Sequence, residues 1–98
     1  MPAGDLDLCT RLAAIASPQR MRILAMLADE NLHVSELARR LGMSRPLLYM
    51  HLTKLEEAGY VSGRLELSDD GKAMKYFTLK PFKLTIDIHS VTRAVASD

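Results

Sequence analysis

Long apolar runs are missing from this 98-residue chain. The longest, Ile23 to Ala28, falls far short of the about 20 residues that a membrane span needs. The opening Met1-Pro2-Ala3-Gly4-Asp5 has no basic stretch followed by an apolar one, so a cytoplasmic protein without membrane attachment is expected. Cysteine is reduced to one, Cys9, which excludes an intrachain disulfide and fits a reducing compartment. As a lone thiol it reads as a small apolar packing residue, with redox sensing through an intersubunit disulfide as the alternative. Five glycines and four prolines are too few for a collagen-like or low-complexity chain. Neither sign of charge dominates: 13 Lys and Arg stand against 12 Asp and Glu, a net of +1. A uniformly basic coat is therefore excluded, and any basic patch must be local. A catalytic set is also missing. His33, His51 and His89 fall in separate segments, and there is no nucleophile motif or glycine-rich phosphate loop. An enzyme is not expected, nor is a cofactor.

What is present is the composition of an ordinary globular protein, 48% hydrophobic and 26% charged. At this length one domain, residues 1–98, is expected, and it buries only about 60–65% of its extended surface. Asp5 is placed to cap a first helix over 5–16, whose Leu8, Leu12 and Ile15 share one face. Ser17-Pro18 restarts the chain as an N-cap followed by a proline at the first helical position. This second helix runs to about Ala28, with Ile23, Leu24 and Leu27 inward. A short third helix, Val34 to Leu41, stops at Gly42. Ser44 caps a fourth, Arg45 to about Ala58, with Leu48, Leu52 and Leu55 as its buried stripe. Residues 61–79 read as a β-hairpin turning at Asp70-Gly71, with Tyr76 to Leu79 on the return strand. Leu84, Ile86 and Ile88 alternate as in a strand, whereas Leu84, Ile88, Val91 and Val95 fit one helical face. The longer stripe favours a last helix within 84–96, from about Ile86.

Helices three and four, joined by Gly42-Met43-Ser44, form a helix-turn-helix, and the hairpin after it makes the winged form. The fold class is thus mainly α with a small β-hairpin. Three stretches carry a resemblance to the ArsR-type winged helix-turn-helix regulators: Ser17-Pro18-Gln19-Arg20-Met21-Arg22-Ile23-Leu24, Val34 through Ser44, and Leu48 through Val61. The resemblance covers roughly residues 10–80. It implies a homodimeric DNA-binding transcriptional regulator, often a repressor, dimerising through its first and last helices.

The residues carry their own argument for double-stranded DNA. Between Arg39 and Leu55 lie four fixed positive charges, Arg39, Arg40, Arg45 and Lys54, and no carboxylate. The rest of the chain is net negative, so basicity concentrates on the helix pair that the motif sets against the duplex. Arg45, in the first turn of the fourth helix, is the expected base reader, since a guanidinium grips guanine O6 and N7 with two bonds. Ser44 and Lys54 are expected phosphate contacts, with Arg39 and Arg40. Tyr49 and Met50 share the outward face. The family's corresponding positions are mostly small or polar, so Leu47, Tyr49 and Met50 depart from it. They either pack on thymine methyls or mark a protein-contact surface that no longer binds DNA. His51 borders the buried stripe, open to packing or to a phosphate contact. In the wing, Arg64, Lys72 and Lys75 are candidate backbone or minor-groove contacts, among the carboxylates Glu66, Asp69 and Asp70.

Many ArsR-type proteins sense metals. Where the family carries Cys-Val-Cys in the third helix, this chain has His33-Val34-Ser35, without thiolate. Asp87-Ile88-His89 matches half of a second family site, and its other half is absent, Asp98 being the only later carboxylate. No metal is expected; Asp87 and His89 are the weak candidates. The stripes Leu8, Leu12, Ile15 and Leu84, Ile88, Val91, Val95 exceed what the helix-turn-helix core uses. They are the expected dimer interface, setting two recognition helices about 34 Å apart on an inverted repeat.

Overall fold

The structure, a computed structural model, describes residues 4–96. Its order is α1 (Gly4–Ile15), α2 (Pro18–Asp29), β1 (Leu32–His33), α3 (Val34–Leu41), α4 (Arg45–Glu57), β2 (Val61–Leu67), β3 (Ala73–Leu79) and α5 (Ile88–Ala96). The local signals act as they should. Ser17 Oγ accepts from the Arg20 N–H ahead of Pro18, and Ser44 Oγ accepts from the Leu47 N–H at the head of α4. Gly42 takes the left-handed conformation, φ 64°, that ends α3 and turns the chain toward α4.

One core gathers all of this. Ile23, Leu24 and Leu27 of α2, Leu37 and Ala38 of α3, and Leu48, Leu52 and Leu55 of α4 are buried with Tyr60, Val61 and Phe77 from the base of the wing. The wing is the antiparallel pair β2–β3, with Gly63 opposite Phe77 and Leu67 opposite Ala73. Gly63 is there by necessity: a Cβ would stand 2.9 Å from the Phe77 ring. Outward of that pair, residues 64–67 are exposed, so the hairpin leaves the core. Hairpin and turn agree with the sequence reading. The third strand does not come from it: Leu32 and His33 pair with Phe77 and Tyr76, giving the sheet order β1-β3-β2.

Two boundaries are corrected. α1 is already helical at Gly4, so Asp5 lies within it and not at its cap. The last helix begins at Ile88, and residues 80–87 are neither strand nor helix. That segment has a job that a helix would not do. Phe82 packs edge-on against Tyr60, ring centroids 4.6 Å apart, and Leu84 rests on the core, so these two side chains pin the irregular segment between the wing and α5. Asp87 then starts α5. Its Oδ1 accepts from the Ser90 N–H at 2.9 Å, while its own N–H donates to Ser90 Oγ at 2.9 Å, a reciprocal cap. α5 packs against α1 of the same chain and buries Ala94 there.

Candidate nucleic-acid interface

α4 turns Leu48, Leu52 and Leu55 inward, so at 100° per residue Pro46, Met50, Thr53 and Glu57 point away from the core. Pro46, Tyr49, Met50, Thr53 and Lys54 line one shallow surface depression along the helix. On the wing side, Arg45 and Tyr49 share a cleft of about 270 Å³ with Leu65, Met74 and Lys75 of the hairpin and with His33 to Ser35. On the α2 side, Lys54 lines a second cleft with Arg20, Thr10 and Glu57. The outward face of α4 is therefore an apolar strip with cations along both edges.

The cations are not equivalent. Among the described residues, Arg45 and Lys54 join no ion pair. Arg39 and Arg40 do. Arg39 Nη2 lies 2.5 Å from Glu36 Oε2, Arg40 Nε donates to the same carboxylate at 2.8 Å, and Arg40 also pairs with Glu30 at the end of α2. The carboxylate-free patch of four cations is thus corrected to two. The window from Arg39 to Leu55 omits a glutamate one helical turn upstream and another that only the fold brings near. Hydrogen bonds from Arg39 and Arg40 hold the Glu36 carboxyl at about 2, so it stays ionised across the physiological range.

His51 is half-buried and faces α2. Its Nδ1 accepts from Arg20 Nη1 at 3.1 Å, and burial, with Arg20 and Lys54 close by, pushes its pKa below the ordinary value. Arg20 also donates from Nε to the Ala14 carbonyl at 2.5 Å and from Nη2 to the Ala13 carbonyl at 3.3 Å. One guanidinium thus ties the open end of α1 to the middle of α4. Arg11 does the same at the other end: Nη1 donates to the Ala58 carbonyl at 2.9 Å, the group lies 4.7 Å over the Tyr60 ring, and Tyr60 Oη donates back to the Arg11 carbonyl at 2.7 Å. Sequence reading missed both arginines, because nothing in their spacing announces contacts made across the fold.

In the wing, Arg64 pairs with Glu66 at 2.7 Å and bonds Thr78, while Lys75 lies 5.5 Å over the Phe77 ring. Lys72 is exposed beside the Ser68–Gly71 turn. Ser44 keeps its hydroxyl proton while its oxygen caps α4, so it can still donate to an anion. His33 Nδ1 caps α3 by accepting from the Glu36 N–H at 3.3 Å, and Asp87 is the α5 cap described above. No group of three or more His, Cys, Asp or Glu side chains that could hold a metal occurs among the described residues; Asp98 lies outside them. No described helix is long and apolar enough to cross a membrane.

The model of the bacterial regulatory proteins of the arsR family matches residues 17–62. An uncharacterized HTH-type transcriptional regulator of Methanocaldococcus jannaschii is 37% identical over 82 residues, 84% of this chain and 85% of that protein. HlyU of Vibrio cholerae, described as a transcriptional activator, superposes with a TM-score of 0.67 at 33% identity, covering 83% of each chain. A homodimeric winged helix-turn-helix DNA-binding domain from Mycobacterium bovis reaches a TM-score of 0.67 at 25% identity, covering 74% of this chain and 63% of that one.

Proposed function

Because this chain belongs to the arsR family of bacterial regulatory proteins, we propose that it is a homodimer that binds an inverted-repeat operator in double-stranded DNA and represses transcription there. The observation that carries this reading is the outward face of α4. It starts at a capped N-terminus and presents Arg45 and Lys54 unpaired on opposite edges. A helix seated in a major groove meets phosphates along both flanks and bases along its middle, and it reads them from its first turns. Arg45 takes the base-reading role. Lys54 and Ser44 hold phosphates, Lys72 and Lys75 bring the wing to the backbone, and Arg39 and Arg40 contribute as far as Glu36 releases them. Two copies related by a two-fold axis set their α4 helices about 34 Å apart. Repression needs nothing beyond occupancy of that duplex.

The test is binding to an operator selected from a random duplex pool and to a random duplex, across a salt series. The logarithm of affinity should fall by about 0.9 per tenfold salt for each phosphate held. Lys54→Ala should weaken both duplexes alike and make the salt slope shallower. Arg45→Ala should cost about 1–3 kcal/mol on the operator and less on random DNA. Equal losses on the two duplexes would remove Arg45 from base reading. Absent or salt-insensitive binding would instead favour a protein-interaction module, the reading that the exposed Leu47, Tyr49 and Met50 support. A promoter overlapping the selected site should be silenced by the wild type and released by Lys54→Ala; increased transcription would reverse the sign of the regulation.

A further inference from the structure

We propose that α4 reads the 5-methyl groups of thymine, so that this protein's half-site consists of thymines beside the guanine taken by Arg45. This rests on the DNA reading above and specifies what that surface recognises.

The inventory of the outward face leads there. From Arg45 to Lys54 the exposed side chains are Arg45, Pro46, Leu47, Tyr49, Met50, Thr53 and Lys54. The major groove offers each base a distinct pattern. Guanine is gripped by arginine, adenine by asparagine or glutamine, cytosine by a carboxylate, and thymine by apolar contact with its methyl. This face holds no asparagine, glutamine or carboxylate before Glu56, so it lacks the side chains that best grip adenine and cytosine. It has one arginine at its head, Thr53 and Lys54 at its far end, and between them an apolar surface: Met50 is 62% exposed, Leu47 42% and Tyr49 40%. Pro46, Tyr49 and Met50 line the same depression, with the methyl-bearing Thr53 beside them.

Charge selects the occupant. With Arg45 taken by guanine and Arg20 bound within the fold, Lys75 on the wing side and Lys54 on the α2 side leave a cation at each edge of the strip, as a helix between two phosphate rows requires. The acidic residues of α4, Glu56 and Glu57, are confined to its last turn, away from the end that enters the groove. A protein partner would have to leave both cationic edges unmet or supply carboxylates to each; a duplex supplies phosphates to both by construction.

The experiment compares the selected operator with the same duplex carrying deoxyuridine for thymidine, which removes the methyl and leaves every hydrogen-bonding edge intact. A random duplex with and without the replacement gives the baseline. Each engaged methyl is worth about a fourfold change in affinity, so several across two half-sites should give a loss of tenfold or more on the operator beyond that baseline. Met50→Ala should bind the thymine operator more weakly and lose much of the thymine-over-uracil ratio. That ratio is taken within one protein, so a change in stability cancels from it. Equal affinity for the two operators overturns the proposal while leaving DNA binding intact, and so does a ratio unchanged in both Met50→Ala and Tyr49→Ala. Failure to bind any duplex overturns the DNA reading itself, and with it this proposal.

Discussion

His51 shows how one side chain couples the scaffold to α4. Arg20 is always charged, so the bond to His51 requires a bare Nδ1 and the proton on Nε2. Burial and two neighbouring cations, Arg20 and Lys54, favour that neutral form, and the pKa falls below 6.5 in the folded chain. The sign of the linkage follows. Below about pH 6.5 the unfolded chain takes up a proton that the folded chain refuses, so this contribution is complete above that pH and is lost as pH falls through the lower, folded value. The urea midpoint should therefore drop between pH 7.5 and 5.5. His51→Gln, which can still accept from Arg20 but does not titrate, should drop less over the same range. Parallel curves for the two proteins would mean that His51 does not bear this load. The half-burial of the ring and its bond to Arg20 also explain why the sequence left packing and phosphate contact both open. Position on a helical wheel separates inside from outside, but residues on the border are decided by what the neighbouring helix brings.

At the scale of elements, the readable features are the ones enclosed within a few residues. Ser17, Gly42 and Ser44 each complete their caps within three to five positions, and the stripes of α2 and α4 follow from spacing alone. What was illegible is non-local. The β1 pairing joins Leu32 to Phe77, and the arginine bonds to α4 and its exit span 31 and 47 positions. The corner of α2 and α3 mixes the two: the Glu36 pairs are one helical turn long and could have been read from spacing, while the Glu30 pair depends on the fold. Glu30 and Glu36 converge on Arg39 and Arg40 and neutralise half of the cations that the local sequence offered to DNA. Both arginines remain on the surface, so the corner is an internal competitor for phosphate and not a closed site. Glu36→Gln should release Arg39, and Glu30→Gln added to it should release Arg40 as well. Affinity for random duplex should rise, and the salt dependence should steepen by about 0.9 for each arginine that turns to a phosphate. An unchanged slope with unchanged affinity would assign the pair to bracing α3 alone.

The molecule as a whole is longer than a domain of its size needs to be. Its extents are 53 × 25 × 23 Å and its radius of gyration is 15.7 Å, against about 13 Å for a rounded 100-residue domain. The wing accounts for part of this. At α1 and α5 the two helices cover each other only partly. Ala94 is buried and Ile15 and Leu84 lean on the core, but Ile88 and Val95 remain 67% and 63% exposed, with Val91 between them. In the proposed homodimer, a second copy presenting the same two helices across a two-fold axis would cover that stripe, and a closed pairing of this kind stops at two. The consequence for DNA is quantitative. In that proposed dimer, once one α4 is seated the second would bind as if at millimolar concentration, which would multiply affinity by about 10²–10⁴ without any new contact. Val91→Glu combined with Val95→Glu places carboxylates in the stripe without touching the core. The variant should keep its helical circular dichroism and sediment as a monomer. It should lose an affinity factor of that order on the full operator while matching the wild type's intrinsic affinity on an isolated half-site. A variant that still sediments as a dimer would move the interface off α5, and a monomer with undiminished operator affinity would show that one α4 suffices.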